Sequence, residues 1–138
     1  MTTPPLTDAP VRSDADLTAR WELVLDPPEF AKRHLWLLWL DAYGRQLPIV
    51  IPVDDVPRVP DLQLLVGLRQ VHESLLADQL GGRGHLALAL CRPGSAVPTA
   101  DDEAWAEALS GLLEDVSWSL HLAADGSVVP LVPISRGS

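Results

Sequence analysis

L-W-L-L-W-L-D-A-Y-G-R-Q-L-P-I-V-I-P-V, residues 35–53, decides the fold. Residues 35–41 are apolar at both parities, as in a strand covered on both faces. Ala42, Tyr43 and Gly44 give a turn signal, and residues 46–53 read as a second strand. That strand carries Pro48 and Pro52, which have no N–H for a ladder, so it lies at a sheet edge or ends irregularly. Together the two runs predict a β-hairpin. Trp36 and Trp39 are three apart and therefore face opposite sides of the sheet, one towards the core and the other towards a covering helix or a partner.

On the C-terminal side, residues 54–60 are a Pro/Asp-rich loop and Asp61 is placed to cap a helix. Leu64, Leu65, Leu68, Val71, Leu75, Leu76 and Leu80 recur at intervals of three and four and mark its buried face, and Gly81-Gly82 stop it. H-L-A-L-A-L-C, residues 85–91, reads as a buried central strand. A second helix follows over residues 102–115 with Trp105, Leu109, Leu112, Leu113 and Val116 inward. Residues 117–123 and 127–132 are two strands joined by Asp125-Gly126, a hairpin turn signal. On the N-terminal side, R-W-E-L-V-L (residues 20–25) reads as a short strand and residues 29–34 as a helical turn. The expected fold is α/β, a mixed central sheet flanked by helices. Its single domain spans residues 19–133, with a disordered N-terminal tail over 1–18 and a short tail over 134–138.

Composition fits that outline. The chain has 138 residues, room for one domain with a core that needs no staple. Hydrophobic residues make up 47% and charged residues 21%, a globular balance. Nineteen acidic against ten basic residues, net −9, with no clustered basic run, argue against nucleic acid. One cysteine, Cys91, excludes an internal disulfide framework and a Cys-rich zinc site. The start has no apolar signal core, and the longest apolar run is far short of the roughly 20 residues of a membrane span. A cytoplasmic protein with no membrane partner is expected.

Chemistry concentrates in L-C-R-P-G-S-A-V-P-T-A-D-D, residues 90–102, which joins the central strand to the second helix, where α/β proteins usually bind ligands. The loop resembles the metal loop of the JAMM (JAB/MPN) metalloprotease-like fold, most closely its RadC-like branch, with H-x-H-P-S-G, a Pro-Ser and a following Asp. The L-W-L-L-W-L-D-A-Y-G-R hairpin, the helix after it and the closing S-W-S-L-H-L-A-A-D-G-S-V-V-P-L are similar to the corresponding family elements, over roughly residues 35–131. The resemblance implies a JAB/MPN (cytidine-deaminase-like) architecture. It also places the two metal-binding histidines on Leu90 and Arg92, the serine on Thr99 and the ligand Asp on Asp102, in a loop one residue shorter than the family's. Pro93 matches. The family's upstream catalytic Glu has no counterpart in residues 46–53. One ligand of three cannot hold zinc, and a permanent cation at Arg92 repels a divalent metal. The implication is a degenerate domain with no metal, no cofactor and no catalysis, acting as a protein-interaction or scaffold module, with another protein or a second copy as partner.

Each residue in the loop also has a plainer reading. Thr-x-x-Asp before a helix is a capping-box pattern, which accounts for Thr99 and Asp102 without a ligand. Arg92 can contact an anion or an acidic partner, or pair internally with Asp101 or Asp102. The alternatives to an interaction module are an anion- or small-molecule-binding module built on Arg92, and a small hydrolase rebuilt around Cys91, Arg92, Thr99 and Asp102. His34, His72, His85 and His121 are spread over different elements; His72-Glu73 lacks the second histidine of a zincin, and His85 and His121 can meet in space.

Overall fold

The hairpin forms as expected: β1 (His34–Leu40) pairs antiparallel with β2 (Gln46–Asp54). The computed structural model describes residues 10–27 and 30–134. Before the hairpin comes α1 (Asp14–Val24), and after it α2 (Leu62–Gln79), β3 (His85–Cys91), α3 (Ala100–Leu112), β4 (Trp118–Ala124) and β5 (Ser127–Val132). The strands form one mixed sheet in the order β2-β1-β3-β4-β5, with β3 and β4 parallel and the other neighbours antiparallel. β2, with its two prolines, is an edge strand. β5, with Pro130, is the other. Asp125 and Gly126 both take positive φ (51° and 77°), the backbone that a two-residue hairpin turn requires.

Alternation sorts the strand residues into two cores. Leu35, Leu37, Trp39, Leu86, Leu88 and Leu90 pack with Trp105 and Leu109 of α3 and Leu65 and Leu68 of α2. Leu38, Leu40, Ala87, Ala89 and Cys91 face the other way, onto Leu17 and Trp21 of α1. Trp39 and Trp36 divide between the two sides as their spacing demands, and Trp21, Trp39 and Trp105 are completely buried. The α1 side is lined by alanines on β3, and the backbone of α1 comes nearest the sheet at β5.

Several expectations are corrected. Residues 20–24 are helical, not a strand, and Leu25 is the C-cap: Ser13 accepts a hydrogen bond from the Asp16 N–H, Asp14 and Asp16 suit the positive end of the dipole, and Leu17, Trp21 and Leu25 recur every four residues and are buried. The expected tail is therefore part of the fold from residue 10; residues 1–9 lie outside the described ones. Val11 donates its N–H to the Gly44 carbonyl at 2.8 Å, and a Cβ on Gly44 would collide with the Val11 carbonyl, so the β1–β2 turn is shaped around this segment. At the other end the Ile134 N–H donates to Asp14 Oδ1 at 2.7 Å, which adds residue 134 to the domain; residues 135–138 lie outside the described ones. Residues 30–33 are irregular rather than a helical turn, because the Arg33 carbonyl accepts from Val56 N–H (3.2 Å) instead of a residue of its own segment; residues 28–29 lie outside the described ones.

Finally, Val71 is exposed and His72 takes its place on the inward face of α2, where Trp39 Nε1–H donates to His72 Nδ1 at 3.1 Å. The weight of α1 is testable. Leu17→Ala should cost about 2–5 kcal/mol in urea unfolding, where a residue in a disordered tail would cost nothing measurable.

Candidate functional site

Register brings three separated segments to one end of the sheet. His34 at the start of β1 lies opposite Asp54 at the end of β2 and Cys91 at the end of β3. The approach to β1 (residues 30–33), the loop after β2 (55–60) and the loop after β3 (92–99) therefore converge beside the first turn of α3. Trp105 Nε1–H donates to the Pro57 carbonyl at 3.0 Å and fixes the middle loop to α3. Between these segments runs a cleft of about 570 Å³, bordered by Lys32, Arg33, Arg58, Arg92, the 93–99 turn and Asp101.

Arg92 and Asp102 organise one wall. Nε of Arg92 donates to Asp102 Oδ1 (2.9 Å) and Oδ2 (3.1 Å), and Nη2 donates to Oδ2 at 2.7 Å. The rest of the guanidinium gathers the turn: Nη1 donates to the Pro93 and Ser95 carbonyls (3.1 and 2.7 Å), and Nη2 to the Val97 carbonyl (3.0 Å). All five N–H groups are used. Asp102 is completely buried and also completes the expected capping box: Thr99 N–H donates to Oδ2 at 2.8 Å, and Thr99 Oγ1 accepts from Asp102 N–H at 3.3 Å. Burial alone would raise the Asp102 pKa, but the hydrogen bonds from Arg92 and Thr99 and the Arg92 charge outweigh it and hold the carboxyl below its ordinary value. The Asp102 hydrogen bond raises Arg92 in turn.

This arrangement settles the role of Arg92. Of its two expected roles, the internal pair to Asp102 is the one formed. With no donor left, it does not serve an incoming anion. Nor do the loop residues fit zinc. Leu90 is buried in the apolar core, a guanidinium has no lone pair, and both Asp102 oxygens already accept hydrogen bonds. No cluster of three or more His, Cys, Asp or Glu able to hold a metal ion occurs among the described residues.

Cys91 does not join the cleft. Its side chain faces the α1 core, with no exposure, and its thiol lies 3.7 Å from the Ala89 carbonyl. Burial pushes the thiol well above its ordinary pKa, which is opposite to what a nucleophile needs. The four histidines do not converge either. His34 pairs with Asp54 at the β1–β2 end (2.8 Å). His85 is held between Ser117 and Ser119 (both 2.8 Å), and His121, on the same sheet face, meets Thr18 of α1 at 2.8 Å. The Thr18 hydroxyl donates to the Asp14 carbonyl (2.9 Å), which leaves its lone pairs for His121 Nε2–H.

The feature that the sequence reading missed is the rest of the cleft wall. Lys32, Arg33 and Arg58 come from two segments about 25 positions apart, so no local cluster announces them. The signal that locates them is the hairpin itself, since the start of β1 and the end of β2 must be neighbours.

No protein-family model, curated protein or solved structure matches the chain. No helix among the described residues is long and apolar enough to cross a membrane.

Two outcomes are expected. Arg92→Met should cost about 3–5 kcal/mol, because it strands a buried carboxylate and three carbonyls, and its cost should be less than additive with that of Asp102→Asn in a double-mutant cycle. Burial lowers His85 and His121 from 6.5 to about 4 each. Between those values the unfolded chain binds protons that the folded chain refuses, so stability falls as the pH drops from 6.5 towards 4. The loss should amount to about 3 kcal/mol per histidine, and His121→Gln should flatten part of the slope of urea stability against pH.

Proposed function

We propose that this chain is a non-catalytic interaction domain: a metal-free relative of the JAMM/RadC-like fold in which the loop after the central strand has become internal scaffolding. The observation that carries the reading is the Arg92–Asp102 pair, which commits the whole guanidinium and both carboxylate oxygens to holding the turn. A loop whose guanidinium and buried carboxylate are both spent on internal hydrogen bonds offers neither to activate water or a substrate carbonyl. The element order β1-β2-α2-β3-α3-β4-β5 supports the likeness. The hydrolase alternative finds no support in a sealed, high-pKa Cys91.

A contact surface is available on α2. Leu62 and Val66 are one helical turn apart and both exposed, Leu62 by 75%. Apolar side chains on neighbouring turns of a helix suit a protein partner, another chain or a second copy of this one.

The purified protein should carry no stoichiometric zinc, and zinc should not raise its melting temperature. Affinity purification of the tagged chain from its own cells should recover a partner that the Leu62→Glu, Val66→Glu variant loses while melting normally. One zinc per chain, or equal recovery by both forms, would overturn the reading.

A further inference from the structure

The cleft beside the Arg92–Asp102 pair holds a charge that the fold leaves unbalanced. Arg33 borders it with Nε and Nη2 both shielded from solvent, and neither has a hydrogen-bond partner among the described residues. Buried guanidinium nitrogens are nearly always paired, because a desolvated N–H without an acceptor forfeits its hydration. Desolvation accordingly lowers the Arg33 pKa, with Arg92 and Arg58 pushing the same way, against the attraction of Asp102 and Asp101.

The surroundings add to that imbalance. Lys32 and Arg58 border the same cleft, and neither forms a salt bridge among the described residues. Arg92 is neutralised by Asp102, so among the described residues three cations without a salt bridge border the cleft with one carboxylate, Asp101, in a chain whose net charge is −9. The geometry is held from behind. The Arg33 carbonyl accepts from Val56 N–H, and Trp105 anchors Pro57, so the segments carrying Arg33 and Arg58 are joined to each other and to α3. Concentrated positive potential in a concave site attracts anions even when the whole molecule is acidic.

We infer that this cleft binds a small multivalent oxyanion, a compound with carboxylate or phosphate groups, with Arg33 as its anchor and Lys32 and Arg58 closing over it from the rim. The guanidinium fork suits either group, since both present paired oxygens. Arg33 is thus a residue kept for binding at the expense of the empty fold. The inference goes beyond the interaction reading and does not rest on it, because Leu62 and Val66 take no part in the cleft.

The test is thermal unfolding and calorimetric titration of the full chain with citrate and with inorganic pyrophosphate, against sodium chloride at matched ionic strength. At least one of the two should raise the melting temperature beyond the chloride control, and the one that acts names the class. Arg33→Met should weaken that binding about 10- to 100-fold. Without ligand, the same variant should melt at or above wild type, since it removes a half-buried guanidinium whose shielded Nε and Nη2 have no hydrogen-bond partner. Arg58→Ala, on the exposed rim, should weaken binding with the melting temperature unchanged. The inference is overturned if neither anion acts, if Arg33→Met responds as wild type does, or if ligand-free Arg33→Met melts lower, which would make Arg33 a structural residue.

Discussion

A guanidinium and a carboxylate withdrawn from water fix the end of β3 to the first turn of α3, and the shape of the molecule at that end follows from them. Neither group is tolerable alone at that depth, because a charge taken out of water needs its opposite at hydrogen-bond distance. Once Arg92 lies against Asp102, the remaining N–H groups draw in the carbonyls of Pro93, Ser95 and Val97, and the turn closes around the side chain. Arg92 collects oxygens around a positive centre as a bound cation does, but with donors instead of empty orbitals. The arrangement is built into the sequence and cannot be removed by chelation.

Much of this was legible in the sequence because the relevant signals are local. The double-sided apolar runs at residues 35–41 and 85–91, the Asp125-Gly126 turn and the Thr99–Asp102 box each act within a few residues, and each appears where expected. Arg92 and Asp102 are ten apart but bracket one loop, so their pairing was within reach too. The cationic wall was not, since Arg33 and Arg58 meet only through register. That is a property of the hairpin and not of any stretch of chain.

The misreading of residues 20–25 comes from a window too narrow for the period it was meant to detect. Residues 20–25 alternate well enough to pass for a strand. Extended back to Ser13, the same stretch shows a cap, two early acids and the Leu17–Trp21–Leu25 stripe of a helix. The preceding prolines and threonines made the segment look too polar to order, yet Val11 is tied to the β1–β2 turn and Asp14 to Ile134. On α2, periodicity favoured Val71 as an inward residue, whereas the indole N–H of Trp39 required an acceptor and found it in His72. A buried tryptophan partner is a tertiary demand that hydrophobic spacing does not express.

The distribution of proline across the sheet has a consequence for assembly. Pro48 and Pro52 lie on β2 and Pro130 on β5, the two outermost strands, while β1, β3 and β4 contain none. An imide nitrogen has nothing to offer an arriving backbone, so both rims are poor templates for strand addition. Copies of this chain are thereby discouraged from zipping into continuous ribbons, and recruitment of an extended peptide is disfavoured where those prolines lie. Association is left to side chains on helices and loops, where it can be selective and can end at a defined size.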